Sequence, residues 1–241
     1  MPAEFKSIST SMQLESHTIH KFLENEGGKL VGAYKKIGTL FLLTSSEALL
    51  YSKVETWYKE LNEWLQSELS NFNVQKERYI ENSELDEVPE VTTPDSYKFE
   101  FEITHPRLWD LINFAKKIDS SINDIENMWL AGMINDEART NAVNRVINIP
   151  RKLTAKIDKV TAVGKDRKGG PFKASQFVSI LRGGLELYID DKAIEEENRR
   201  IKSSLDKKPS KNPKDKTSET SKAEPKPEDV EPPKNPDSKA A

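Results

Sequence analysis

From Ser7 to Glu15 apolar and polar positions alternate, with Ile8, Thr10, Met12 and Leu14 on one side and Ser7, Ser9, Ser11, Gln13 and Glu15 on the other. A period of two predicts a half-buried strand. Ser16 to Thr18 offer side-chain oxygens for a helix start. Ile19, Phe22, Leu23, Leu30, Ala33, Ile37 and Leu40 then recur at helical spacing. Gly27-Gly28 interrupts that run and predicts a bend or a split. Thr44-Ser45-Ser46 is a second cap signal, and beyond it Leu50, Val54, Trp57, Leu61 and Trp64 form a narrow seam along a longer helix.

The pattern restarts after an acidic connecting loop at 81–96 that carries Pro89 and Pro94. Tyr97, Phe99, Phe101 and Ile103 alternate with Lys98, Glu100, Glu102 and Thr104, which predicts a second strand. His105-Pro106 opens a helix, because proline suits a first turn, and His105 reads as a capping residue. Leu108, Leu111, Ala115, Ile118, Ile122, Ile125 and Trp129 line one face; Gly132 ends the helix and Asn135 caps the next. That last helix carries the stripe Val143, Val146, Leu153, Ile157 and Val160, with Pro150 predicted to kink or divide it.

A shift of 89 residues overlays the two stretches without a gap: Met12 falls on Phe101, Leu14 on Ile103, Ile19 on Leu108, Phe22 on Leu111, Leu40 on Trp129 and Val54 on Val143. The predicted fold class is therefore mainly α with a small antiparallel β ribbon, built as duplicated strand-helix-helix units of ribbon-helix-helix type. Unit one covers 7–80, unit two 97–163, and a C-terminal extension 164–190 completes a domain of residues 1–190. Within 164–190, Phe177 to Ile189 is apolar enough to dock. Ile194 to Ile201 reads as a frayed charged helix. From about Ser203 there are no aromatics and seven of the thirteen prolines, a composition that predicts a disordered tail within 191–241.

Charge changes the picture more than overall composition does. The net charge of the 241 residues is −3, yet Glu55 to Glu102 holds thirteen acids against four bases, and Arg139 to Arg182 eleven bases against Asp158 and Asp166. The basic segment either docks on the acidic one or meets an external polyanion. Cysteine is absent, which excludes disulfides and thiolate metal sites. No apolar run is long enough to span a bilayer and the first residues lack a signal-peptide pattern, so the expected address is the cytoplasm.

Candidate chemistry is sparse. His17, His20 and Glu24 have spacing compatible with a metal, or are ordinary residues of an exposed helix start. No pair of carboxylates stands in an apolar pattern, no serine sits in a glycine elbow, and neither Gly27-Gly28-Lys29 nor Gly169-Gly170 completes a phosphate-binding fingerprint. Trp57, Trp64 and Trp129 fall on apolar stripes and read as core, with Trp109 beside one. An enzyme is not expected, and neither is a cofactor or a metal. What remains is a set of cations suited to DNA phosphates: Arg145, Lys152, Lys156 and Lys159 on one side of a helix, then Lys165, Arg167, Lys168 and Lys173, with Lys6 before the first strand. A ribbon of two antiparallel strands enters a major groove and reads base edges with its outward side chains. In the first strand those are Ser9, Ser11 and Gln13; the second would present Glu100 and Glu102. The strands pair within one chain as a fused pseudo-dimer, or the first pairs with its copy in a homodimer.

The run Tyr97 to Ile103, then Thr104-His105-Pro106, then Ile118 to Arg145 (IDSSINDIENMWLAGMINDEARTNAVNR) resembles the AcaB-like family of transcriptional regulators of conjugative plasmids and integrative elements. The carrying features are the Glu-alternating strand, the helix ending Trp129-Leu130-x-Gly132 and the helix opening near Arg139-Thr140. The likeness spans about Ser7 to Val163. It implies ribbon-helix-helix binding of double-stranded DNA and control of mobile-element genes, with the reading strand carried onto Ser9, Ser11 and Gln13. That outward face holds no arginine. The other reading is a helical adaptor that binds a protein through the Leu50 to Trp64 seam.

Overall fold

The computed structural model describes residues 6–81, 91–162 and 172–206, all within one unit, Met1–Lys207. Element order is β1 (Ile8–Gln13), α1 (His17–Thr44), α2 (Ala48–Glu81), β2 (Lys98–Ile103), α3 (Leu108–Leu130), α4 (Asp136–Thr161), α5 (Ala174–Arg182) and α6 (Asp191–Asp206). The protein is mainly helical, with one antiparallel two-stranded sheet made inside the chain. No helix among the described residues is long and apolar enough to cross a membrane.

α1 is the centre of the packing: α2, α3, α4, α5 and β2 all lie against it. Ser16 caps it, its Oγ accepting from the Ile19 N–H at 3.2 Å. The helix neither bends into two elements nor splits at Gly27-Gly28. Its glycines serve close approach instead. A Cβ on Gly27 would lie 2.7 Å from the Phe99 ring, and one on Gly38 would lie 2.8 Å from His105 Cβ, whereas Gly28 faces open space. Tyr97 stacks on His20, Phe99 covers Gly27, Glu102 pairs with Lys35 and His105 covers Gly38. From His20 to Gly38 a helix advances about 27 Å. From Tyr97 to His105 an extended chain advances about 26 Å. β2 therefore runs lengthwise along α1, in step with it.

In α2 the buried seam continues as Leu50, Val54, Trp57, Leu61, Leu65, Leu69 and Phe72, so it passes through Leu65 and leaves Trp64 half-buried at its edge. α3 starts at Leu108, two residues past Pro106, because His105 and Pro106 form a turn whose carbonyls accept from Leu108 and Trp109 N–H. His105 is not the cap expected of it: its Nδ1 accepts from the Arg107 N–H at 3.2 Å within that turn, while the N-cap of α3 is Arg107, which has no side-chain cap bond. Gly132 ends the α3 segment at φ +78°, with Met133 N–H donating to Met128 O and Gly132 N–H to Trp129 O. Asn135 Oδ1 accepts from Ala138 N–H and caps α4. Pro150 is buried inside α4, which stays one helix around it.

α5 docks through Phe177, Val178 and Leu181. α6 is no frayed end: Ile194 and Ile201 are buried, and it rests on α4. Residues 203–206, assigned to the tail from composition, close α6, and the remainder of the predicted tail lies outside the described residues. Most of the acidic loop, 82–90, lies outside them too.

Candidate nucleic-acid interface

The ribbon has two chemically different faces. Thr10, Met12, Phe99, Phe101 and Ile103 point toward the helices and are buried or half-buried, while Ser9, Ser11, Gln13, Lys98, Glu100 and Glu102 are exposed on the other side. Ile8, on the inner row of β1, departs from this and is 58 % exposed at the ribbon's end. The register places Ser9 opposite Glu102, Ser11 opposite Glu100 and Gln13 opposite Lys98. The three residues expected to read bases thus share one solvent-facing row, beside a row that mixes one cation with two acids. Glu102 is held below the usual carboxylate range, first by a hydrogen bond from Lys35 and then by one from Ser7.

The ribbon is fixed at its junction with α1 by two buried carboxylates of α3. Asp119 accepts the backbone N–H of Glu15 at 2.8 Å and of Ser16 at 3.1 Å. Glu126 Oε1 accepts from Thr18 N–H at 2.9 Å, from Ser16 Oγ at 3.2 Å and from Thr18 Oγ1, and Oε2 accepts from His17 N–H at 3.0 Å. Both carboxylates are more than nine-tenths buried. Here is the pair of acids in an apolar pattern that the sequence reading missed. They stand seven residues apart on one side of α3, each next to a stripe residue (Ile118, Ile125), and that spacing was the available signal. Their work is structural: Asp119 satisfies the N–H groups of Glu15 and Ser16 just before α1, Glu126 satisfies its first two N–H groups, and both place negative charge at the positive end of its dipole. Burial pushes the Asp119 carboxyl up to about 6, against the two N–H donors that favour its charge.

The cations of α4 lie elsewhere and are engaged. Arg145 donates to Gln75 Oε1 and to the Asn71 carbonyl, and Lys152 stands 3.7 Å from Glu68, so both serve α2. Lys156, whose ammonium lies 5.2 Å from the Trp64 ring centre, donates to the Ile189 carbonyl at 2.7 Å and stands 3.9 Å from Asp191. Lys159 pairs with Asp191 at 3.2 Å and Glu195 at 2.9 Å. Among the described residues, Lys152 alone of the four meets a carboxylate of the acidic 55–102 segment, and α6 supplies the acids for Lys156 and Lys159. The side chains of the stripe expected to meet phosphates thus reach toward α2 and α6, with Lys152 still 61 % exposed. Lys6 and Lys173 are exposed. Lys165, Arg167 and Lys168 lie outside the described residues.

His17 and His20 gather around Tyr97, with His17 Nδ1 2.8 Å from the Tyr97 hydroxyl and Glu24 3.6 Å from His20 Nε2. Trp57 is fully buried, Trp129 donates to Asp136 at 2.7 Å beneath the Arg139 guanidinium, and Trp109 is 41 % exposed.

No family model matches the chain, and no curated protein matches it. Among solved structures the chain is similar to selenomethionine-containing AcaB from uropathogenic E. coli, with a TM-score of 0.53 and 15 % identity over 82 % of this chain and 100 % of AcaB. At that identity the likeness is one of fold.

Proposed function

We propose that the chain is a DNA-binding regulator of a mobile genetic element, and that its ribbon enters the major groove. The observation that carries the reading is the exposed row Ser9, Ser11 and Gln13 on a ribbon whose inner face is packed on helices. Six extended residues span about 20 Å, and a major groove about 12 Å wide admits two such strands. Gln13 suits adenine, to which an amide offers two hydrogen bonds, and the serines donate or accept. Phosphate contacts are assigned to Lys6 at the foot of β1 and Lys98 on β2. The link to mobile elements rests on the AcaB-like resemblance.

The reading includes a duplication that makes the ribbon a fused pseudo-dimer. Two independent features support it. In the register Ser11 faces Glu100, and 11 and 100 are related by the same 89-residue shift that overlays the helical stripes. A local two-fold axis through that pair carries each strand onto the other. The same shift nearly exchanges the two strand–helix junctions: Ser16 bonds Glu126 on α3, and its counterpart His105 covers Gly38 on α1, whose own counterpart is Asn127.

The test is binding of the full chain to duplexes from its own operon at several salt concentrations. Affinity should fall steeply with salt, with a log–log slope near −0.9 for each phosphate neutralised. No binding, or binding indifferent to salt, refutes the reading. One observation favours the alternative, a protein–protein adaptor: the α4 cations are already partnered and the ribbon carries Glu100 and Glu102. A single protein partner recovered by pull-down and lost in a still-folded Trp109→Asp variant would support it, since Trp109 is exposed whereas the Leu50 to Trp64 seam packs inside the chain.

A further inference from the structure

The two ends of the ribbon are not equivalent, and that bears on what the ribbon reads. In a symmetric pair the axis through Ser11 and Glu100 would put the same residues at both ends. Here one end presents Gln13 beside Lys98, and the other Ser9 beside Glu102. Gln13 and Glu102 are related by the 89-residue shift, as are Ser9 and Lys98. An amide has become a carboxylate, and a hydroxyl an ammonium.

Groove chemistry turns this difference into a target. Lysine donates to guanine O6 and N7, and glutamine pairs with adenine N6 and N7. A carboxylate only accepts, and the base-edge donor that suits it is the cytosine amino group. We infer that one chain, acting alone, recognises a non-palindromic duplex site. Purines lie under the Gln13–Lys98 end, and a cytosine lies under Glu100 at the centre. Lys35, 3.0 Å from Glu102, offsets the charge of the second carboxylate, so Glu100 is the acid left to specify. A second copy is not needed to complete the ribbon, because β1 and β2 pair within the chain. This inference rests on the DNA-binding reading above.

The experiment is selection from a duplex pool with a randomised core by the full chain, followed by sedimentation of the selected complex to count chains per duplex. Expected are one chain per site, a consensus without inverted symmetry, and a loss of roughly 5- to 150-fold on changing the central C·G pair. Glu100→Gln should move that central preference toward adenine. Gln13→Ala should relax preference at its own end only. Glu100 is exposed, so its amide variant is expected to fold. Salt-dependent binding with an inverted-repeat consensus, two chains per site, or an unchanged centre in Glu100→Gln overturns this inference and leaves DNA binding intact. Absence of any duplex binding overturns both.

Discussion

Glu126→Gln is a sharp test of how the ribbon is held. The carboxylate accepts four hydrogen bonds, from Ser16 Oγ, His17 N–H, Thr18 N–H and Thr18 Oγ1, at a site 8 % exposed. All four groups are donors. The glutamine amide keeps one acceptor oxygen and turns an NH2 toward a donor, so at least one N–H of the first turn of α1, the part-buried His17 N–H or the buried Thr18 N–H, is left unpaired. An unmade buried bond costs about 1–3 kcal/mol. Loss of the negative charge at the helix N-terminus adds about 0.3–2 kcal/mol. The sum is centred near 3 kcal/mol, and for a unit of this size each kcal/mol lowers Tm by about 2–4 °C. Thermal unfolding followed by circular dichroism at 222 nm should therefore show a drop of about 6–12 °C. Hydrogen exchange should rise at 14–20 before it rises in α2. A drop under about 2 °C would refute the account of Glu126 as the cap that joins β1 to α1. Glu24→Gln, on the exposed face of the same helix, is the control and should move Tm little.

Asp119→Asn should behave differently, because burial raises the Asp119 pKa to about 6 from an ordinary 3.8. The folded state keeps a proton that the unfolded chain has lost, so this group's stabilising contribution is fully present below pH 3.8 and is lost as pH rises through about 6. Denaturant unfolding should thus find wild type losing on the order of 2–3 kcal/mol relative to the variant between pH 3.5 and 7; a constant difference would contradict the burial argument. Gly28→Ala should stabilise by about 0.5–1 kcal/mol, since its Cβ meets open space in a continuous helix. Gly38→Ala should destabilise by about 1–3 kcal/mol, since its Cβ would lie 2.8 Å from the base of the His105 side chain. Chemical denaturation of both variants checks the opposed signs. Lys156→Ala should raise hydrogen exchange across 189–201 while changing duplex affinity less than about twofold; a uniform loss of affinity with a salt slope shallower by about 1 would instead make Lys156 a phosphate ligand.

What could be read from the sequence was what neighbouring residues decide among themselves. The alternation at 7–15 and 97–104 encodes which strand face is buried, because side chains alternate with a period of two. Ser16, Asn135 and Gly132 declare helix ends through bonds made within a few residues. The roles that stayed hidden depend on partners far along the chain. Gly27 looked like a helix breaker because Phe99, 72 residues on, is what needs the space. Arg145 looked like a free cation because Gln75, 70 residues back, is what holds it. Asp119 and Glu126 went unread as a pair because their partners, mostly backbone N–H groups, lie more than 100 residues back along the chain.

The hidden and the legible parts meet at the two strand–helix junctions. By the 89-residue correspondence, Asp119 and Glu126 stand where Leu30 and Ile37 stand in the first half. One junction is tied by buried carboxylates on α3. The other is closed by the His105 ring lying on Gly38, parallel to Phe41 at 6.2 Å. A symmetric dimer could not hold both solutions, because each substitution would appear twice and carboxylates would face apolar neighbours at one of the two sites. Under the proposed duplication, covalent fusion removes that constraint. The same freedom allows Gln13 and Glu102, or Ser9 and Lys98, to differ on the outer face, while the inner rows Met12–Leu14 and Phe101–Ile103 stay apolar. On that proposal, differentiation of the core junction and of the outer face has one physical origin, so a variant restoring symmetry at the surface (Lys98→Ser, Glu100→Ser and Glu102→Gln) should leave stability nearly unchanged and act on recognition alone.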